Sequence, residues 1–160
     1  MGRHVRGATL LEVIVVVGIA ATLISLVWRS EALASRLALR GAAVTLLSDL
    51  RTAQARAMAE HRSDRAYGVE FLLGDNRYVL FTQEGPVKVP IREQRLPGRV
   101  RITYARFGGG TPAAVMFTGI SLLGAPSGGG TVTLASGSAR VCVRVLPATG
   151  RVRVANTNCP

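Results

Sequence analysis

Lysine is almost missing from this sequence. Of its 20 basic residues only Lys88 is a lysine, and no Gly-x-x-x-x-Gly-Lys-Ser/Thr loop leads into it. A nucleotide-cradling loop of that type is therefore excluded. Histidine is nearly as scarce, at His4 and His61, which leaves no His pair for a catalytic metal and no evident Ser–His–acid set. The two cysteines, Cys142 and Cys159, are few for a metal site, and neither stands in a Cys-x-x-Cys motif. The glycine triplets Gly108–Gly110 and Gly128–Gly130 lack the following helix and partner residues that a cofactor site needs, and read as loops. No enzyme activity, metal or cofactor is expected. Proline is absent before Pro86, so nothing in the first half interrupts a helix.

What is present is arginine. The net charge is +11, a balance that suits polyanions such as nucleic acid, lipid headgroups or acidic polymers without choosing among them. Arginine also suits bidentate phosphate contacts.

Charge is missing altogether from one stretch. Between Ala8 and Trp28 the only charged residue is Glu12, and the 16 positions from Val13 to Trp28 are apolar, small or neutral. At ~1.5 Å per residue, Ala8–Trp28 makes a helix of about 31 Å, enough to span hydrocarbon. Only Met1–Gly7 precede it, carrying Arg3 and Arg6. A secretory signal peptide is cut after its apolar run; the candidate cleavage residue here, Gly7, stands in front, so the helix survives processing.

A short basic leader ending in Gly, then an apolar residue, Thr, two apolar residues, Glu and a long apolar helix resembles the N-terminal signature of type IV pilins and pseudopilins. Gly7, Ala8, Thr9, Leu10, Leu11 and Glu12 occupy its positions in order. The resemblance implies cleavage between Gly7 and Ala8 by a prepilin peptidase and N-methylation of Ala8. It also implies an assembly role for Glu12, whose carboxylate would meet a neighbouring subunit's free amine. A carboxylate at that depth needs such a partner or a proton. Major pilins usually have Phe where Ala8 stands, which inclines the reading towards a minor subunit.

Four regions follow: a leader over residues 1–7, a transmembrane or filament-core helix over 8–29, an amphipathic helix half over 30–62 and a globular β domain over 63–160. In the amphipathic half, Leu33, Leu37, Val44, Leu47 and Leu50 recur at helical spacing and are expected to face a sheet. Strands are expected over Tyr67–Leu73 and Tyr78–Thr82, joined by the hairpin signal Gly74–Arg77. Further strands are expected over Val87–Ile91, placed at an edge by Pro90, and over Arg99–Tyr104, Ala114–Thr118, Thr131–Leu134, Arg140–Val145 and Arg151–Val154. The expected fold class is α+β: a long N-terminal helix packed on a C-terminal antiparallel β domain, as in pilins.

The segments Val115–Gly119, Thr131–Leu134, Arg140–Val145 and Pro147–Val154 resemble the GspH/FimT group of minor pilins and pseudopilins. Within them, Gly150-Arg-Val-Arg153 matches a Gly-Arg-x-Arg motif with which FimT-like minor pilins contact DNA. On a strand, Arg151 and Arg153 share a face about 7 Å apart, and Gly150 permits a tight turn before them. Arg144 joins them if Val141–Val145 and Val152–Val154 pair, and Arg140, four positions from Arg144, falls on the same face. Plain alternation, with arginines in water and valines inward, explains the same pattern. Arg95, Arg99, Arg101 and Arg106 read as solubilising an edge strand. In an exported domain Cys142 and Cys159 read as a disulfide rather than a redox pair.

The leading expectation is a minor type IV pilin that polymerises into or caps a pilus and captures DNA for uptake. The alternative is a GspH-like pseudopilin of a type II secretion system that binds other pseudopilins and not DNA. The expected partners are other pilins or pseudopilins, the prepilin peptidase, the inner membrane and DNA phosphates. The expected location is the inner membrane before assembly, and the pilus or pseudopilus, periplasm and cell surface after it.

Overall fold

The computed structural model describes residues 10–108, 113–119, 126–155 and 159–160; the side chains of residues 26–30 and 32 fall outside that description. The chain divides into two compact units, Met1–Ala34 and Ser35–Pro160. One α-helix, α1 (Leu10–Glu60), accounts for the first 51 described residues. It stops at His61, whose φ of 48° is left-handed. That conformation cannot continue the helix and marks a helix C′ position.

In the first unit the apolar side chains of α1 are open to solvent all round, from Leu10 at 79 % to Val15 at 50 % exposure. Glu12 lies in the first turn and is exposed. The expected cleavage and methylation positions, Gly7 and Ala8, lie outside the described residues, as does the start of the 8–29 span. Among the described residues no helix is long and apolar enough to cross a membrane.

In the second unit eight strands form two antiparallel sheets. The strands are β1 (Arg65–Phe71), β2 (Arg77–Glu84), β3 (Val87–Arg95), β4 (Arg101–Phe107), β5 (Ala114–Thr118), β6 (Gly130–Ser136), β7 (Ala139–Val145) and β8 (Val152–Ala155). The first sheet has the order β3-β2-β1-β5 and the second β4-β6-β7-β8. Alternation produces this layout: Tyr67, Val69 and Phe71 are buried on one face of β1, and Val141, Val143 and Val145 on one face of β7. β3 is an edge strand, as Pro90 requires, opposite Phe81 beside a bulge.

The helix stripe that packs on the sheets differs from the expected one. Leu39, Ala42, Ala43, Leu46, Leu50, Ala53 and Ala57 are buried with both sheets in one core. Leu33, Leu37 and Val44 stay about 60 % exposed and Leu47 is half-buried; of the expected set only Leu50 is in the core. The reason is size. Alanines at 42, 43, 53 and 57 let the helix backbone approach the sheets closely, and the bulkier stripe points elsewhere.

Two contacts tie the sheets together. Phe71 of β1 stacks on Phe107 of β4 with ring centroids 5.6 Å apart. The β1–β2 turn also docks on β4, with Gly74 N–H donating to the Ile102 carbonyl at 2.8 Å and Ile102 N–H to that of Asp75 at 3.0 Å.

Candidate nucleic-acid interface

β7 and β8 pair as a hairpin, so Arg144 stands directly opposite Arg153, with Val145 opposite Val152. The loop between them is closed by Gly150 N–H donating to the Leu146 carbonyl at 2.9 Å and Leu146 N–H to that of Arg151 at 3.1 Å. Gly150 has φ 63°, a conformation in which a Cβ is strained. The loop delivers Arg151 just ahead of β8, two residues from Arg153 and on the same face by the strand period.

Register carries the face further than the motif does. Arg144 is opposite Thr131 of β6, and Thr131 is opposite Arg106 of β4. Directly paired residues share a face. Arg106, Thr131, Arg144 and Arg153 therefore form one row across all four strands, with the valines of β7 on the other side. Arg106 had been assigned the edge-solubilising role. β4 is an edge strand, but the register places Arg106 in the row. Arg101 is on the same edge, and its guanidinium donates to the Gly74 carbonyl at 3.0 Å.

The centre of this face is covered. Cys142, between Arg140 and Arg144 on the same side of β7, is disulfide-bonded to Cys159, with Cα atoms 5.6 Å apart. That spacing is ordinary for a disulfide. The bond lays the Cys159–Pro160 segment over Thr133, whose hydroxyl donates to the Pro160 carbonyl at 3.2 Å. Arg140 thus lies on the predicted face but is set apart from Arg144 by the bridge.

The charges are segregated. All nine acidic residues precede Leu96, whereas Arg99, Arg101, Arg106, Arg140, Arg144, Arg151 and Arg153 follow it. Every carboxylate after Ser35 is already engaged outside the second sheet. Asp49 holds Arg92, Asp64 holds Arg62, and Glu60 and Glu84 hold Arg65. Asp75 and Glu93 hold Arg77, and Glu70 holds Lys88. The acid-free stretch after Leu96 is the one sequence signal that could have set Arg106 on the same basic surface, and the pattern reading passed over it. Among the described residues no cluster of His, Cys, Asp or Glu could hold a metal ion.

The fold is that of solved type IV minor pilin and minor pseudopilin structures. No family model and no curated protein sequence matches the chain; the likeness is to solved structures. The type IV minor pilin FimU of Pseudomonas aeruginosa superposes with a TM-score of 0.56 at 15 % identity, over 78 % of this chain and 94 % of that one. A second crystal form of FimU gives 0.53 at 15 % identity, over 76 % and 97 %. The minor pseudopilin EpsH from the type 2 secretion system of Vibrio cholerae gives 0.53 at 11 % identity, over 76 % and 98 %.

Proposed function

We propose that this chain is a minor pilin-type subunit that joins other pilins through α1 and contacts DNA phosphates through the outer face of its second sheet. The observation that carries the DNA reading is the Arg106–Thr131–Arg144–Arg153 row, with Arg151 beside it, on a sheet whose strands carry no Asp or Glu. Arg144 and Arg153 stand directly opposite each other on paired strands, and a backbone phosphate lying between them accepts charge-assisted hydrogen bonds. Such contacts are independent of sequence and sensitive to salt.

The assembly reading rests on the exposed apolar turns of α1 from Leu10 to Ile24. A helix apolar on all sides needs lipid or other helices around it. In this reading a prepilin peptidase cuts after Gly7, Ala8 becomes the methylated N-terminus, and the helix waits in the inner membrane. Glu12 then meets a neighbour's amine when the helix enters the filament.

The test is fluorescence anisotropy of labelled DNA with the full chain in non-ionic detergent, across a salt series, beside Arg151→Ala/Arg153→Ala. Losing two phosphate contacts makes the log–log salt slope shallower by about 1.4 to 1.8. Equal slopes for both proteins remove the row from the interface. If the parent does not bind at low salt, the DNA reading falls. The likeness to EpsH then favours a purely structural pseudopilin role, with other pseudopilins as the only partners.

A further inference from the structure

The basic surface does not end with the second sheet. At the far end of β7 from the row, Arg36, Leu39, Arg40, Ala139, Arg140 and Val141 line an open cavity of about 350 Å³. Arg36 and Arg40 are one helical turn apart and so neighbours on α1. Buried Leu39 and Val141 give the cavity an apolar floor, and the three arginines round it are exposed. Among the described residues none of the three forms an ion pair, and the acids after Ser35 pair with other cations. Three unneutralised guanidinium groups round one low-dielectric floor focus positive potential, and their forked donors match phosphate oxygens.

We infer that this cavity is a second phosphate site for the same nucleic acid, in which a strand lying on the sheet row passes beside the Cys142–Cys159 bridge and places a further backbone phosphate among Arg36, Arg40 and Arg140. The inference rests on the nucleic-acid reading above. Arg140 lines the cavity and stands on the strand face of Arg144, with the Cys142–Cys159 bridge between the two. Four residues of strand separate the two arginines by about 14 Å, within reach of a strand of roughly four nucleotides or more. A lipid phosphate has the same headgroup chemistry; the shared strand face of Arg140 and the sheet row favours the nucleic acid, and the doped micelles below separate the two.

The experiment compares the full chain in non-ionic detergent with Arg36→Ala/Arg40→Ala and Arg36→Lys/Arg40→Lys. The probes are oligothymidylates of roughly three and roughly twenty nucleotides, together with micelles doped with phosphatidylglycerol. With the longer oligonucleotide the alanine variant is expected to show a salt slope shallower by about 1.4, the value for two contacts on a single strand. The lysine variant keeps the parent's slope, and the shorter oligonucleotide, held by the row alone, is bound equally by all three proteins. A parent slope in the alanine variant overturns the inference. So does an unchanged affinity for the longer oligonucleotide combined with lost affinity for the doped micelles, which assigns the cavity to lipid headgroups. Failure of the parent to bind either oligonucleotide overturns the underlying DNA reading as well, and the Arg151→Ala/Arg153→Ala series separates the two failures. Matching urea midpoints show that the exposed helix substitutions leave the fold intact.

Discussion

The Tyr78 hydroxyl of β2 donates a 2.6 Å hydrogen bond to the Asp49 carboxylate of α1 inside the core. The other carboxylate oxygen accepts from Arg92 of the edge strand β3 at 2.5 Å. Burial first, and the Asp49 bond second, push the Tyr78 hydroxyl well above the ordinary tyrosine range, so it remains a donor. One carboxylate thus fastens the helix to two strands of the first sheet. Asp49→Ala leaves a buried hydroxyl unpaired and is expected to cost about 2 to 3 kcal/mol; Tyr78→Phe, which keeps the ring, costs about 1 to 2 kcal/mol. Arg92 is half-exposed, and Arg92→Ala costs no more than about 1 kcal/mol. Urea unfolding ranks the three, and a larger loss at Arg92 than at Asp49 contradicts this account.

The Cys142–Cys159 bridge closes a loop of sequence separation 17. A loop of that size is worth roughly 3 kcal/mol through the unfolded chain. The double variant Cys142→Ala/Cys159→Ala should lower the urea midpoint accordingly. It should also expose the Thr133 hydroxyl, whose partner Pro160 is held in place by the bridge. A midpoint unchanged between oxidised and reduced protein contradicts the assignment.

Acid acts on the loops and strands of the first sheet. Arg62 hydrogen bonds hold the Asp64 carboxyl at about 2. The Tyr67 hydroxyl, then Arg65, hold Glu60 below its ordinary value. The Asn76 backbone N–H, then Arg77, do the same for Asp75. Each folded-state value lies below its unfolded one, so the stabilisation is complete above about pH 5 and is lost as pH falls through the folded values, about 2 for Asp64. Arg62→Ala should return the Asp64 pKa towards 3.8 in a carboxylate NMR titration; no movement removes Arg62 as the cause.

Gly68 sits under the Phe81 ring. A Cβ built there lies 2.5 Å from a ring carbon and 2.8 Å from the Val115 carbonyl oxygen. Gly68→Ala must shift β1, β2 or β5 and is expected to cost about 1 to 3 kcal/mol, as overpacking does. Phe81→Leu in the same background removes the ring carbons and should recover part of that loss. Additive losses in the pair deny the contact.

The strands were legible because half-buried strands alternate, and β1, β2, β5, β6, β7 and β8 fall within a few residues of the segments read from that pattern. Pro90 revealed an edge because a missing N–H has only one place to go in a sheet. The buried helix stripe was not legible: α1 carries two apolar faces, and periodicity alone prefers the one with leucines and valine. The choice falls to the alanine face only once two sheets must approach the backbone. The distribution of strands between sheets was equally hidden, since it depends on contacts far apart in sequence, such as β1 with β5. The Arg144–Arg153 opposition followed from the motif once the hairpin was assumed. Arg106 did not, because its place in the row depends on a register running through β6.

From Leu96 onwards the sequence contains no Asp, Glu, His or Lys, and arginine keeps its proton wherever proteins remain folded. Acidification therefore strikes the two halves of the β domain unequally. The bonds of Asp64, Glu60 and Asp75 weaken as these carboxylates take up protons, while the second sheet keeps its arginine cations. A drop in pH works here as a selective solvent, loosening the margins of the first sheet and leaving the arginine side chains of the basic face as positive as before.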